Sequence, residues 1–344
     1  MNRKLLAVSV LAAAAFACRP SFCDDCAAVK VRVGSYNIRF ATGDKGTPNA
    51  WEERRDDLIA LIRSLDMDVF GLQEVRPEQA RFFAERLPEY VYAGEHRDAD
   101  RKSGEASPVC YRKDRFTAIS NGTFWLSETP DVPGKKGWGA ACPRICSWLL
   151  LEDRKTGLRF CFANTHTDHI SELARKEGML LVIERMKKFG EGVPIIFTGD
   201  HNCRETESPA LAVAKLLKNA LFASETPPKG PWRTFNGWKW RDAELSAVDA
   251  MKLPPNVRNA RKGSTDADKD GNGAHALADC GPRIDYIYVS PEVRVLDYAT
   301  RCDPRPGKRL YPSDHFPVTA SVLIPASCGN QLEVDRNRRG LSPR

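Results

Sequence analysis

Six stretches of this 344-residue chain each run between apolar residues and a small group of Asn, Gln, Glu, Asp or His. They are Ser35-Tyr-Asn37-Ile-Arg-Phe40, Gly71-Leu-Gln73-Glu74-Val75, Asn164-Thr-His166-Thr-Asp-His169, Thr198-Gly-Asp200-His201-Asn202, Arg283-Ile-Asp285-Tyr-Ile-Tyr-Val-Ser290 and Ser313-Asp314-His315-Phe-Pro317. Buried strands whose carboxyl ends carry such residues deliver them to one rim of a sheet, where a rigid scaffold can hold them together. This pattern asks for a fold whose strands reach a common edge.

The intervening sequence supports that demand. Lys30 to Phe40 alternates like a strand, Trp51 to Leu65 is amphipathic at helical period, and Asp68 to Glu74 is a short buried strand. Pro77 to Leu87 is a helix opened by proline. Val109–Tyr111, Trp148–Leu151 and Leu158–Asn164 read as strands, with a turn at Gly157. Ser171–Phe189 and Pro209–Lys218 are expected helices, while Val193–Phe197, Ile284–Val289 and Val318–Leu323 are expected strands. No internal repeat or long linker divides them, so one α/β domain over residues 30–325 is expected. The polar, glycine-rich stretch 254–281 is an insertion loop, residues 18–29 a linker, and residues 326–344 a disordered tail.

With 42% hydrophobic and 28% charged residues, the chain has the apolar content a core needs and is not a disordered one. Met1–Lys4 is basic, Leu5–Ala17 is apolar, and Ala15-Phe-Ala17 ends the run: the plan of a signal peptide over residues 1–17, too short to span a bilayer. Export is therefore expected, to the periplasm or beyond, with lipid anchoring at Cys18 left open. An oxidising compartment permits disulfides among the 11 cysteines, but their pairing is not readable, and Cys110, Cys146 and Cys161 suit small buried apolar positions. The net charge of +7 loses Arg3 and Lys4 with the leader and +2 with the tail, leaving about +3, weak ground for a dedicated DNA binder.

Carboxylates beside Asn carbonyls suit a hard divalent cation, and nearby histidines suit phosphoryl oxygens. Taken in order, Trp51-x-x-Arg54, Asp68-Val-Phe-Gly-Leu-Gln-Glu-Val75, Pro143-Arg-Ile-Cys-Ser-Trp148, Asn164-Thr-His-Thr-Asp-His169 and Thr234-Phe-Asn-Gly-Trp238 resemble the endonuclease/exonuclease/phosphatase superfamily, with its deoxyribonuclease I-like fold. The resemblance spans about Val31 to Leu323 and lies nearest an exported bacterial branch related to the carbon-catabolite-repressor-type deadenylases. It implies an α/β (α+β) four-layer α/β/β/α sandwich. It further implies Glu74 as principal Mg²⁺ ligand (Mn²⁺ as the alternative), with Asn37 beside it contacting metal or phosphate and Asp314 completing the metal site. Asp200 would orient or deprotonate the attacking water, Asn202 hold the phosphate, His315 bind phosphoryl oxygens with Asp285 fixing its ring, and His166 stabilise developing charge.

Lesser candidates for substrate binding are Arg144, His169, Arg175 and Trp238. Trp232, Phe235, Trp238 and Trp240 form either an aromatic wall or a hydrophobic cover. His201 should point away from the site, because alternate strand residues face opposite sides. Asp266-x-Asp268-x-Asp270-Gly271 opens like a calcium loop, yet Leu277 stands where a bidentate Glu is required. The reading is a monomeric, exported, Mg²⁺-dependent phosphate-ester hydrolase, with a phosphodiesterase or nuclease ahead of a sugar- or inositol-phosphate phosphatase or a sphingomyelinase-like enzyme. Nucleic acid, a phospholipid head group or a sugar phosphate are the candidate substrates. A non-catalytic binding protein and a calcium-stabilised adhesin are the rivals, and the complete rim argues against both.

Overall fold

The computed structural model describes residues 28–190, 192–255 and 281–326. The leader, Cys18 and the Asp266–Gly271 loop lie outside these residues. No helix among the described residues is long and apolar enough to cross a membrane.

Two six-stranded sheets pack face to face. The first has the order β11 (Arg294–Thr300), β12 (Val318–Ile324), β1 (Val29–Asn37), β2 (Val69–Gln73), β4 (Val109–Arg112), β3 (Tyr90–Ala93). The second has β5 (Phe116–Trp125), β6 (Ile145–Asp153), β7 (Arg159–His166), β8 (Ile195–Asp200), β10 (Asp285–Val289), β9 (Lys218–Asn219). At the centre of each sheet a parallel pair is joined through a helix: β1–α1 (Trp51–Leu65)–β2 and β7–α3 (Glu172–Gly190)–β8. Such a crossover sends both strands the same way, so their carboxyl ends share a rim.

Alternation along the strands builds the layers. Val31 and Val33, Phe160 and Phe162, Ile196, Ile287, and Val318, Ala320 and Val322 fill the space between the sheets. The opposite residues, such as Tyr36, Phe70 and Leu72, meet α1 and α2 (Pro77–Arg86), while Cys161, Ala163, Phe197, Tyr286 and Tyr288 meet α3 and α4 (Ser208–Ala214). The four-layer α/β/β/α sandwich follows. Short helices α5 (Ala220–Ala223) and α6 (Ala247–Lys252) close one end of the inter-sheet layer.

One expectation needs correction. Asp314-His315 precede β12 rather than ending a strand, and Asp285 opens β10, in keeping with the expected strand Ile284–Val289. Both strands run antiparallel to their neighbours, with Asp285 opposite Asp200, so the rim collects carboxyl ends of β1, β2, β7 and β8 and amino ends of β10 and β12. The six described cysteines are all unpaired, and Cys110, Cys146 and Cys161 are buried as apolar residues.

Candidate active site

Above the apolar layer the inter-sheet positions turn polar. Ser35, Asn164 and Thr198 are fully buried, and one pleat higher stand Asn37, Gln73, His166, Asp200 and Asp285, with the buried Gln73 side chain reaching down to Ser35 and Asn164. Glu74 follows β2 and Asn202 follows β8, each in left-handed backbone (φ 63° and 45°). That conformation is uncommon for a residue with a side chain and turns each chain sharply at its strand end.

Asp200 is the focus. Its Oδ1 accepts the backbone N–H of Asn202 at 3.0 Å. Its Oδ2 accepts the Asn37 amide at 2.9 Å and faces His166 Nε2 at 3.4 Å and His315 Nε2 at 3.7 Å. Burial pushes the Asp200 carboxyl up to about 7, while the charge of His315 pulls the other way. Burial alone would lower His315, but Asp285 and then Asp200 outweigh it and hold the imidazole protonated up to about 10. His315 Nδ1–H donates to Asp285 at 2.9 Å, which fixes the ring and leaves Nε2–H aimed at the Asp200 side, beyond hydrogen-bond length. The backbone N–H of Asp285 in turn donates to Thr234 Oγ1, a support that no sequence pattern pointed to.

His166 is the opposite case. Burial, then the charges of Arg144 and His315, keep it neutral. Its Nε2 accepts the Asn202 amide at 2.9 Å, so the proton sits on Nδ1, which is buried without a partner. The site thus pairs one charged and one neutral histidine across a single carboxylate.

Glu74 is held through both oxygens, Oε1 by the Asn37 amide at 3.0 Å and Oε2 by the Phe40 N–H at 3.0 Å. The residues that would hold a cation fit that task in part as expected. Glu74, His166 and Asp200 offer ligand atoms within 4.8 Å of one another. Glu74 and Asp200 face one another across the Asn37 amide, and such paired carboxylate oxygens would suit a hard divalent cation held beside Glu74. Asn37 is differently placed from a ligand. Its amide nitrogen faces both carboxylates and its carbonyl accepts the Arg39 N–H, so it braces Glu74 against Asp200. Asp314 lies on the far side, 3.7 Å from Arg39 Nη1, outside the Glu74 group.

Sequence patterning missed Arg39, whose guanidinium joins Asp44 and Asp314. It also missed the task of Arg54, fully buried and donating to the carbonyls of Ile38, Arg39 and Pro312. Arg54 ties the loop after β1 to the loop before β12; the sequence marked it, as the arginine of Trp51-x-x-Arg54 and a charge on the apolar face of α1, without giving its task.

The substrate-side candidates separate. Arg144 is buried, 3.8 Å from Asp168, with Nη2 against His169 Nδ1 at 3.1 Å and with Nε and Nη1 unpartnered. Arg175 is buried, donating to the Asp168 carbonyl at 3.0 Å. Trp238 packs over Arg54, 5.5 Å from its guanidinium carbon. Of the other aromatics, Trp232 is core, Trp240 stacks on Tyr311, and Phe235 alone meets a site residue, edge-on to His315 at 4.9 Å. His201 turns away as expected, against Phe197, Tyr286 and Tyr288.

Comparison with known proteins agrees with this geometry. The sequence pattern of the endonuclease/exonuclease/phosphatase family matches residues 34–315. A solved structure of a family member from Bacteroides thetaiotaomicron is 33% identical, with a TM-score of 0.71, covering 87% of this chain and 99% of that one. A mannosyl-6-phosphatase of the same organism is 35% identical, with a TM-score of 0.70, covering 85% and 99%. Among curated proteins, an uncharacterized mimivirus protein, L388, is 30% identical over 159 residues, 44% of this chain and 59% of that protein. The chain therefore spans less than two thirds of that relative's length. On these matches and this site, the chain belongs to the endonuclease/exonuclease/phosphatase family of phosphoester hydrolases.

Proposed function

We propose that the protein is an exported, Mg²⁺-dependent hydrolase of phosphate monoesters, with a sugar phosphate as substrate. The observation that carries the hydrolytic reading is the single oxygen Asp200 Oδ2, faced by the Asn37 amide, His166 and His315. A water hydrogen-bonded to Asp200 Oδ2 is oriented for in-line attack and passes its proton to that carboxylate, whose raised affinity for protons suits the task. His315 Nε2–H donates to the phosphoryl oxygens as negative charge grows, while the Asn202 amide, given to His166 Nε2 and the Thr167 carbonyl, holds the rim beside Asp200 rather than the phosphate itself. Asp285 keeps His315 charged through that step. A divalent cation held by Glu74, when bound, acts as a Lewis acid on the phosphate and the leaving oxygen.

The monoester reading is supported by two things. The mannosyl-6-phosphatase is similar over nearly its whole length, whereas the match to a Ccr4 exoribonuclease subunit of Phaeosphaeria nodorum covers 26% of that protein. Arg144, with unpartnered guanidinium nitrogens close enough to depress His166, also adds positive charge beside the phosphate, where a dianion gains more than a monoanion. The phosphodiester is the second reading, favoured by the resemblance to the deadenylase-related branch and by the partial match to the Ccr4 exoribonuclease subunit. Export rests on the N-terminal sequence alone.

The test is turnover of p-nitrophenyl phosphate and bis(p-nitrophenyl) phosphate, with Mg²⁺ and with chelator, for wild type and Glu74→Ala. Mg²⁺-dependent monoester hydrolysis lost in Glu74→Ala is expected. Preference for the diester would move the proposal to the second reading, and turnover undiminished by chelator or by the substitution would refute it.

A further inference from the structure

The polar layer beneath the site joins the two sheets. Asn164 projects from β7 into the first sheet and donates both amide hydrogens to its backbone, to Leu72 O at 2.8 Å and Pro108 O at 2.9 Å. Pro108 O also accepts the Leu72 N–H, so the Asn164 amide extends the pairing where β2 and β4 part. Its Oδ1 accepts Gln73 Nε2 at 2.7 Å and Thr198 Oγ1 at 3.1 Å, and Gln73 Nε2 reaches Ser35 Oγ at 3.0 Å. All these side chains are fully buried.

The bridge has a place kept for it. A Cβ at Gly71 would overlap the Asn164 amide oxygen and carbon and come within 2.7 Å of Thr198 Oγ1. Only glycine leaves that space. Period-two alternation then fixes what stands above each member: Ser35 lies under Asn37, Asn164 under His166 and Thr198 under Asp200, while Gln73 immediately precedes Glu74. Packing alone would let two apolar sheets slide by fractions of an ångström, because the hydrophobic effect is not directional. Four hydrogen bonds of one amide are directional and set a register.

We propose that Asn164, with Gln73, is a positioning residue that fixes the spacing between Glu74 on one sheet and Asp200 and His166 on the other. This rests on the hydrolase reading above, in which Glu74 holds the cation and Asp200 the water. Misplacing such groups by about an ångström costs on the order of a hundredfold in rate.

The experiment compares wild type, Asn164→Leu and Val322→Ala. Val322 is buried in the same inter-sheet layer, paired with Val31 three pleats below Asn37, so its truncation loosens the sandwich without touching the bridge. Mn²⁺ affinity is measured by calorimetry, with kcat, KM and melting temperature alongside. Asn164→Leu is expected to raise the Mn²⁺ Kd at least tenfold and lower kcat about a hundredfold, beyond any loss in Val322→Ala of comparable melting temperature. A Kd within twofold of wild type, or an equal rise in Val322→Ala, overturns the proposal. Should Asn164→Leu fail to fold, Thr198→Val removes one hydroxyl donor at nearly constant volume and is expected to raise the Kd about threefold; no rise overturns the proposal equally. Wild type that binds Mn²⁺ yet turns over neither ester refutes the hydrolase reading while leaving the Kd comparison to judge the bridge.

Discussion

His201 stands between Asp200, proposed above to orient the water, and Asn202, yet its ring is fully buried on the other face, stacked within 5.6 Å of Tyr286 and Tyr288. Neither ring nitrogen has a hydrogen-bond partner, and burial pulls its pKa down to about 3. An unfolded histidine titrates near 6.5, so below that value the unfolded chain binds a proton that the native one refuses. The native state is therefore penalised progressively as pH falls from 6.5 towards 3 and unaffected above 6.5. The penalty is negligible at pH 7, about 2 kcal/mol at pH 5 and about 3 kcal/mol at pH 4. His201→Leu, of similar volume and without a proton to bind, removes this term. Urea unfolding of both proteins at pH 7, 6, 5 and 4 isolates it, because changes in packing shift all points alike and other groups titrate equally in both. The variant should gain on wild type by about 2 kcal/mol between pH 7 and 5. Curves that stay parallel within about 0.5 kcal/mol would refute a buried, neutral His201. Monoester turnover at pH 7 should stay within threefold of wild type; a hundredfold loss would place the ring in the chemistry.

Asp285→Asn removes the main partner that keeps His315 charged to about pH 10, so the alkaline fall of kcat should begin at lower pH, with kcat down about a hundredfold near neutrality; an unchanged pH–rate profile would exclude His315 as the charged donor. Arg144→Gln should raise KM for a phosphate monoester about tenfold or more, as losing one hydrogen bond to a charged oxygen implies, with kcat less affected; equal KM would detach Arg144 from the substrate. Gly71→Ala should cost about 1–3 kcal/mol in urea unfolding, the range for overpacking, because its methyl must displace the Asn164 amide and the Thr198 hydroxyl; a neutral result would mean that the bridge yields freely.

Interior strands were legible in sequence and edge strands were not. The eight strands with neighbours on both sides, β1, β2, β4, β6, β7, β8, β10 and β12, are the ones whose apolar runs or alternation marked them. The four that escaped, β3, β5, β9 and β11, are the four sheet edges. An edge strand such as Phe116–Trp125 has an exposed middle, Ser120 and Asn121 included, so nothing compels the alternation that betrays a buried strand. Helices α1 to α4 were marked in the sequence, while the short α5 and α6 were not. The marked ends lay a few residues adrift: Pro209–Lys218 ran past α4 into β9, where chain direction depends on contacts made across the fold.

For the site, residue types and their order were enough to name Glu74, His166, Asp200, Asn202, Asp285 and His315, because only strand ends feeding one rim make such a series intelligible. Their division of labour belongs to the tertiary structure. Two histidines of one sequence acquire opposite protonation because one faces Asp285 while the other faces Arg144. Asn37 braces carboxylates rather than ligating, because Arg39 takes its carbonyl. Gln73 and Asn164, 91 residues apart, meet only when the sheets stack. Period and polarity act within a strand and can be read from a line of letters; charge, desolvation and hydrogen-bond direction act across space, between residues that only folding makes neighbours.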